Sequence, residues 1–302
     1  MNIEVLNYKG WANSLRLSNH LVDLVILTEI GPRIIRYGFL GEDNLFVELS
    51  ETLGHKGGNT WHVYGGHRLS HAPQADPRSH YPDNFPVEYI EKDGFLQVVQ
   101  SVEPTNGIQK ELDIYLDAHS TKVTVVHRLY NRNLWPVELA PWALSAMSPG
   151  GMAVAPLPPR GTHHDDLQPT GCVSLWAYTD MSDSKWKWGR EYIFLSQDTK
   201  NQEPQKAGFW VPAGWTAYHW GDVLFIKQFE IKSGKYYPDK NVNVEFYTDH
   251  SLLEVETLGP LTCVEPDQFV EHVETWSLHK GVPAIETESS VRHAVTPLLS
   301  NK

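Results

Sequence analysis

The chain has 302 residues, 41% of them hydrophobic and 21% charged, and carries a net charge of −12. That balance allows a buried core and argues against extended disorder, while the acidic surplus, with no clustered Lys or Arg, excludes a nucleic-acid partner. Two cysteines outside any C-x-x-C pair, a Met1–Trp11 start without a leader pattern, and apolar runs as short as Leu24–Leu27 predict a cytoplasmic protein with no membrane span.

Short runs rich in Val, Ile, Leu, Thr and aromatic residues alternate with Gly, Pro, Asn and Asp along the chain, and helical periodicity is scarce. In chain order the predicted strands are Leu21–Glu29, Arg33–Phe39, Phe95–Val102, Lys110–Leu116, Lys122–Tyr130, Val173–Tyr178, Tyr192–Leu195, Val223–Ile231, Asn241–Tyr247 and Leu252–Leu258. Many short strands with few helices predict an all-β, antiparallel sandwich or barrel. With no linker or fixed-period repeat, a single domain is expected over 1–302, its sandwich ending near residue 290 and its last residues, Ser300–Lys302, carrying no pattern.

Two long irregular stretches, Gly54–Asn84 and Ser148–Gly171, are the places to expect function. The first gathers His62, His67, His71 and His80 with Trp61, Arg68 and Asp83, and its Gly65-Gly66 pair would let the backbone approach a ligand closely. His67 and His71 have the four-residue spacing of a helical two-histidine metal site, but the flanking Gly-Gly and Ala-Pro oppose a helix. A third ligand would have to come from elsewhere, for example His163-His164-Asp165-Asp166, so no metal and no other cofactor is predicted.

Lys227 sits mid-strand in an apolar run, as an edge residue or as a cation facing a concave surface. The 11 tryptophans suit stacking on sugar faces as well as a core, and most of Trp186, Trp188, Trp210, Trp215 and Trp220 are assigned to the core. Alternation puts Asn241, Asn243, Glu245 and Tyr247 opposite Val242, Val244 and Phe246, and puts Glu254 and Glu256 on one face.

The segment Leu253-Glu-Val-Glu-Thr-Leu-Gly-Pro260, followed by His272-Val-Glu-Thr-Trp276, resembles the terminal part of galactose mutarotases (aldose 1-epimerases). There a Leu-Glu-Thr strand carries the catalytic base and a Trp-containing strand closes the sheet. Gly65-Gly66-His67-Arg68-Leu69 is similar to the family's sugar-contacting glycine-arginine segment, and Ile30-Gly-Pro-Arg33 to its first turn. The resemblance implies a galactose-mutarotase-like super-sandwich, a small-molecule carbohydrate as partner, Glu256 as general base and Arg68 at the sugar.

The mid-chain stretch Glu138–Gly151 lacks the family's general-acid histidine. The acid then falls to His67, His71 or His163, with Trp142 stacking where the imidazole stands in the family. A groove lined by Trp61, His67, Arg68, His71, Trp142, Lys227 and Glu256 is expected, with His163 as a further contact, serving an isomerase of the aldose 1-epimerase type. A non-catalytic carbohydrate-binding protein, and a glycoside or uronate hydrolase or lyase on the same scaffold, are the alternatives. Oligomeric state is left open.

Overall fold

A computed structural model describes residues 2–299. Strands dominate, in two antiparallel sheets. The first, 11-stranded, runs edge to edge through Asn2–Tyr8, Trp11–Ser18, Val22–Leu27, Arg33–Phe39, Gly66–Ala72, Val137–Met147, Leu253–Leu258, Val244–Thr248, Gln205–Phe209 and Val173–Leu175, with Thr262–Val264 paired to the Val137–Met147 strand off this path. The second, 10-stranded, runs through Trp186–Trp188, Tyr192–Ser196, Met152–Pro156, Trp215–Trp220, Val223–Phe229, Phe269–Lys280, Val123–Asn131, Ile108–Leu116, Phe95–Val99 and Glu88–Lys92.

Inward-facing residues of both sheets meet in one apolar layer that includes Leu24, Ile34, Phe46, Leu112, Val125, Phe209, Phe225, Phe246, Val255 and Trp276. This is the packing that period-2 alternation produces when two sheets stack face to face. Each of the ten predicted strands is present, Arg33–Phe39 with the predicted ends and the other nine with one or both ends shifted.

The sequence reading missed Gly66–Ala72, which lies inside the stretch taken as irregular. Its His-Arg-Leu-Ser-His run has no β-branched residue, yet all seven positions are buried. Polar groups survive there because each face has partners, one in the second sheet and one in covering loops. Gly65 and Gly66, at φ +96 and +70, set up its entry. A Cβ would lie 2.0 Å from the Val47 carbonyl oxygen at Gly65 and 2.5 Å from that of Ile34 at Gly66, so these glycines admit neighbouring backbone, not a ligand.

The fold also continues past residue 290. Helices Glu288–Ala294 and Thr296–Leu299 follow a capping box at Thr287 and Ser290, and Val291 and Val295 pack on Leu224 and Ile226 against the outer face of the second sheet. The patternless Ser300–Lys302 lies outside the described residues. No helix among those described is long and apolar enough to cross a membrane.

Candidate functional site

Five adjacent strands of the first sheet build the site. Leu144 is opposite both Arg68 and Glu256, Glu256 is opposite Glu245, and Tyr247 is opposite Glu254 and Lys206. Directly paired residues share a face, so Arg68, Trp142, Lys206, Glu245, Tyr247, Glu254 and Glu256 all belong to the outer face of the sheet. Loops roof that face into a groove of about 410 Å³, floored by Arg68, Trp142, Lys206 and Glu254, and walled by Trp61, His80, Tyr178, Tyr247 and Asp249.

Arg33 fastens the wall to the floor. Fully buried, it donates to the carbonyls of Val63 (2.9 Å) and Gly65 (2.6 Å) and pairs with Asp83 at 2.7 Å. The loop thus held brings Trp61 over the Arg68 guanidinium, 5.3 Å from the ring centre, and the His80 ring meets Trp61 edge-on at 4.8 Å. His80 ends the short 3₁₀ turn Arg78–His80, with Nδ1 2.7 Å from Asp76.

The two carboxylates of the Leu253–Leu258 strand have different surroundings. Glu254 opens on the groove, its side chain 12% exposed and 3.8 Å from the Arg68 guanidinium. Burial, opposed by Arg68 and reinforced by Glu256, pushes its carboxyl up to about 7. Glu256 is sealed beneath: it accepts from the Trp142 indole N–H at 2.6 Å and from Lys206 Nζ at 2.9 and 3.2 Å.

Lys206 also reaches Glu245, at 2.8 Å, and lies between the rings of Trp142 and Trp176, 4.8 Å from each. Burial works against its charge, but Glu245 and Glu256 prevail and hold it protonated. Burial works to raise the Glu245 carboxyl, and the Lys206 ammonium 2.8 Å away opposes it. His80 is displaced the other way, its imidazole lowered by burial and then by Arg68. The groove therefore offers flat aromatic faces, an arginine, a carboxyl that titrates near neutrality and an imidazole, a set suited to moving protons on a polyhydroxylated ligand.

No family sequence model matches the chain, and no curated protein matches it by sequence. Solved structures match it over nearly its whole length. Slr1438 from Synechocystis sp. PCC 6803 superposes with a TM-score of 0.59 at 11% identity, over 92% of this chain and 99% of that one. YeaD from Salmonella typhimurium, provisionally named a mutarotase, gives 0.56 at 12%, over 89% and 90%. A galactose mutarotase-like protein from Lactobacillus casei gives 0.53 at 8%, over 88% and 100%. The fold is that of the galactose mutarotase-like proteins.

Within this mutarotase-like fold the sequence-predicted residues divide into two groups. Trp61, Arg68 and Trp142 come together in the groove, on the same face of the sheet as Glu256. Glu256, expected as the base, is 0% exposed and saturated by Lys206 and Trp142, while Glu254 two residues earlier meets the groove.

His67, His71 and Lys227 are not in the groove. The Gly66–Ala72 strand alternates, so its two histidines face away from Arg68, and four steps along the strand put them about 13 Å apart, too far to share an ion. His71 binds the Arg78 carbonyl at 3.0 Å. His163 is exposed in a surface turn and is not among the residues that line the groove. Glu254, His80 and Lys206 are among the groove residues that the sequence reading did not single out as site residues. His80 was one of four loop histidines with nothing to rank it, and Lys206 stood in a run, Gln205–Phe209, that carried no strand signature.

Lys227 points into the space between the sheets, 3.1 Å from Glu274 and donating to the Val255 carbonyl at 3.1 Å. His67 Nε2 is 2.8 Å from His127 Nε2, and His67 Nδ1 is 2.8 Å from Ser145 Oγ. His127 Nδ1 faces the His272 carbonyl at 2.9 Å, which can only accept, so the His127 Nε2 lone pair receives the His67 Nε2–H and Ser145 donates to His67. His67, His127 and Glu274 bring ligand-type atoms within 4.8 Å of one another. Glu274, however, is already balanced by Lys227 and accepts from Thr257 and Trp276. A divalent ion would add two uncompensated charges to a sealed core, so the arrangement fits a hydrogen-bonded brace better than a metal centre.

Proposed function

We propose that the protein interconverts the anomers of an aldose, as a mutarotase-type isomerase, with Glu254 and His80 as its proton-transfer groups. The observation that carries this reading is the Glu254 carboxyl at about 7, in an aromatic-walled groove beside Arg68. Opening a pyranose ring requires one group to take the anomeric hydroxyl proton and another to protonate the ring oxygen. Here burial raises the carboxyl and lowers the imidazole, so the shared proton rests on Glu254. Glu254 then gives its proton to the ring oxygen while neutral His80 accepts the anomeric one, and the reverse transfers close the ring. Trp61 and Trp142 stack on the sugar, and Arg68 donates to its hydroxyls.

Polarimetry with freshly dissolved galactose, glucose and other aldoses is the direct test. Glu254→Gln is expected to lower the rate about 10²-fold with a much smaller change in sugar affinity, and the wild-type rate should fall as pH rises through about 7, where Glu254 loses its proton. An uncatalysed rate with saturable sugar binding would replace this reading by a non-catalytic carbohydrate-binding protein.

A further inference from the structure

Lys206 takes no part in the proton transfers above, yet it is the most heavily engaged cation of the groove. It bridges carboxylates from two other strands, Glu245 and Glu256, and its ammonium is enclosed between Trp142 and Trp176. Such a box fixes the position of a charge, because two ring faces and two carboxylates leave it no other low-energy place. We propose that Lys206 is the positioning residue of this groove: by balancing Glu256 and Glu245 it decides whether neighbouring Glu254 carries charge.

The geometry supports this in two ways. Glu254 and Glu256 are two residues apart on one strand face, about 7 Å along the strand, so a naked Glu256 charge acts directly on Glu254. Lys206 also lies directly opposite Tyr247, which lies directly opposite Glu254, so the cation belongs to the same face, one strand beyond. The other groups facing Glu254 are Arg68 from the strand Gly66–Ala72, Asp249 from the turn after Tyr247, and Tyr247 itself. Tyr178, Glu51 and His80 also line the groove. Arg68 favours a charged Glu254, and Asp249 and Glu256 oppose it. Of the two cations, Lys206 is the one that neutralises another carboxylate.

The catalytic consequence depends on Glu254 transferring a proton, but the electrostatic claim does not, and the experiment reads it without turnover. The Glu254 carboxyl is titrated by ¹³C NMR of side-chain carboxyls in folded protein, its resonance assigned by absence in Glu254→Gln. In Lys206→Met its midpoint should rise by about one to two units, since a charge near 7 Å away is no longer compensated. In Glu256→Gln, which keeps Lys206 and removes the opposing charge, it should fall. The double variant Lys206→Met/Glu256→Gln should return towards wild type. A Glu254 midpoint unchanged in the folded Lys206 variant overturns the proposal, and should that variant not fold, an unchanged midpoint in Glu256→Gln overturns it instead. If the midpoints move as stated while no sugar is turned over, the mutarotase reading fails and the role of Lys206 stands.

Discussion

Glu254 and Glu256 show how far a residue's chemistry is set by neighbours distant in sequence. Both sit on one face of one strand, yet Trp142 and Lys206 close over Glu256, while Glu254 keeps only a 3.8 Å contact with Arg68. A carboxyl held at about 7, against an ordinary value of 4.5, binds its proton more tightly folded than unfolded. Its contribution to stability is complete below the unfolded value and is lost as pH rises through the folded one. Relative to Glu254→Gln, the wild type should therefore lose about 3 kcal/mol between pH 4.5 and pH 8. Urea denaturation of both proteins at the two pH values measures the difference, and parallel pH dependence would show that the carboxyl is not held protonated. Alternation in the sequence was enough to put both glutamates on one face. It could not tell which one is sealed, because the seal comes from residues 114 and 50 positions away.

At the scale of strands, the same alternation decides where Lys227 goes. Phe225 and Phe229, its neighbours two residues either way, face the layer between the sheets, so Lys227 must face it too. Burial lowers its ammonium, and Glu274 is the partner that keeps it charged. Removing one member of a buried pair leaves the other uncompensated, so Glu274→Gln should destabilise the fold by about 3–5 kcal/mol. Lys227→Met/Glu274→Gln should recover a large part of that loss, because it removes both charges from the core. Denaturant midpoints of the single and double variants check this, and a Glu274→Gln midpoint close to wild type would show that the pair bears little on stability. In sequence, Lys227 read equally well as an edge residue or a substrate contact, since its run Leu224–Phe229 does not say which face a sheet buries. The Gly66–Ala72 strand was harder still: its polar residues on both faces resemble a loop until the neighbouring strand Val137–Met147 supplies Ser145 and the partner sheet supplies His127 and the Lys227–Glu274 pair.

For the whole molecule, composition and punctuation made the all-β class legible, whereas the assignment of strands to sheets depends on pairings that no local pattern encodes. The first sheet takes strands from 2–39, 66–72, 137–147, 173–175, 205–209 and 244–264, and the second takes the rest, so the chain crosses between them repeatedly. We propose from this interleaving that the chain folds as one domain. Any cut leaves both sheets incomplete and exposes part of the shared apolar layer, in which Leu24 and Phe46 from the amino-terminal part pack in one cluster with Val255 and Trp276 from the carboxy-terminal part. Calorimetry should then show a single unfolding transition whose calorimetric and van't Hoff enthalpies agree. Limited proteolysis should clip surface loops such as the exposed 160–171 segment without releasing a fragment that refolds alone. This tests the proposal strongly, because chains above about 150 residues often unfold through intermediates. Two resolved transitions, or a fragment that keeps native strand content, would divide the sandwich into separate folding units.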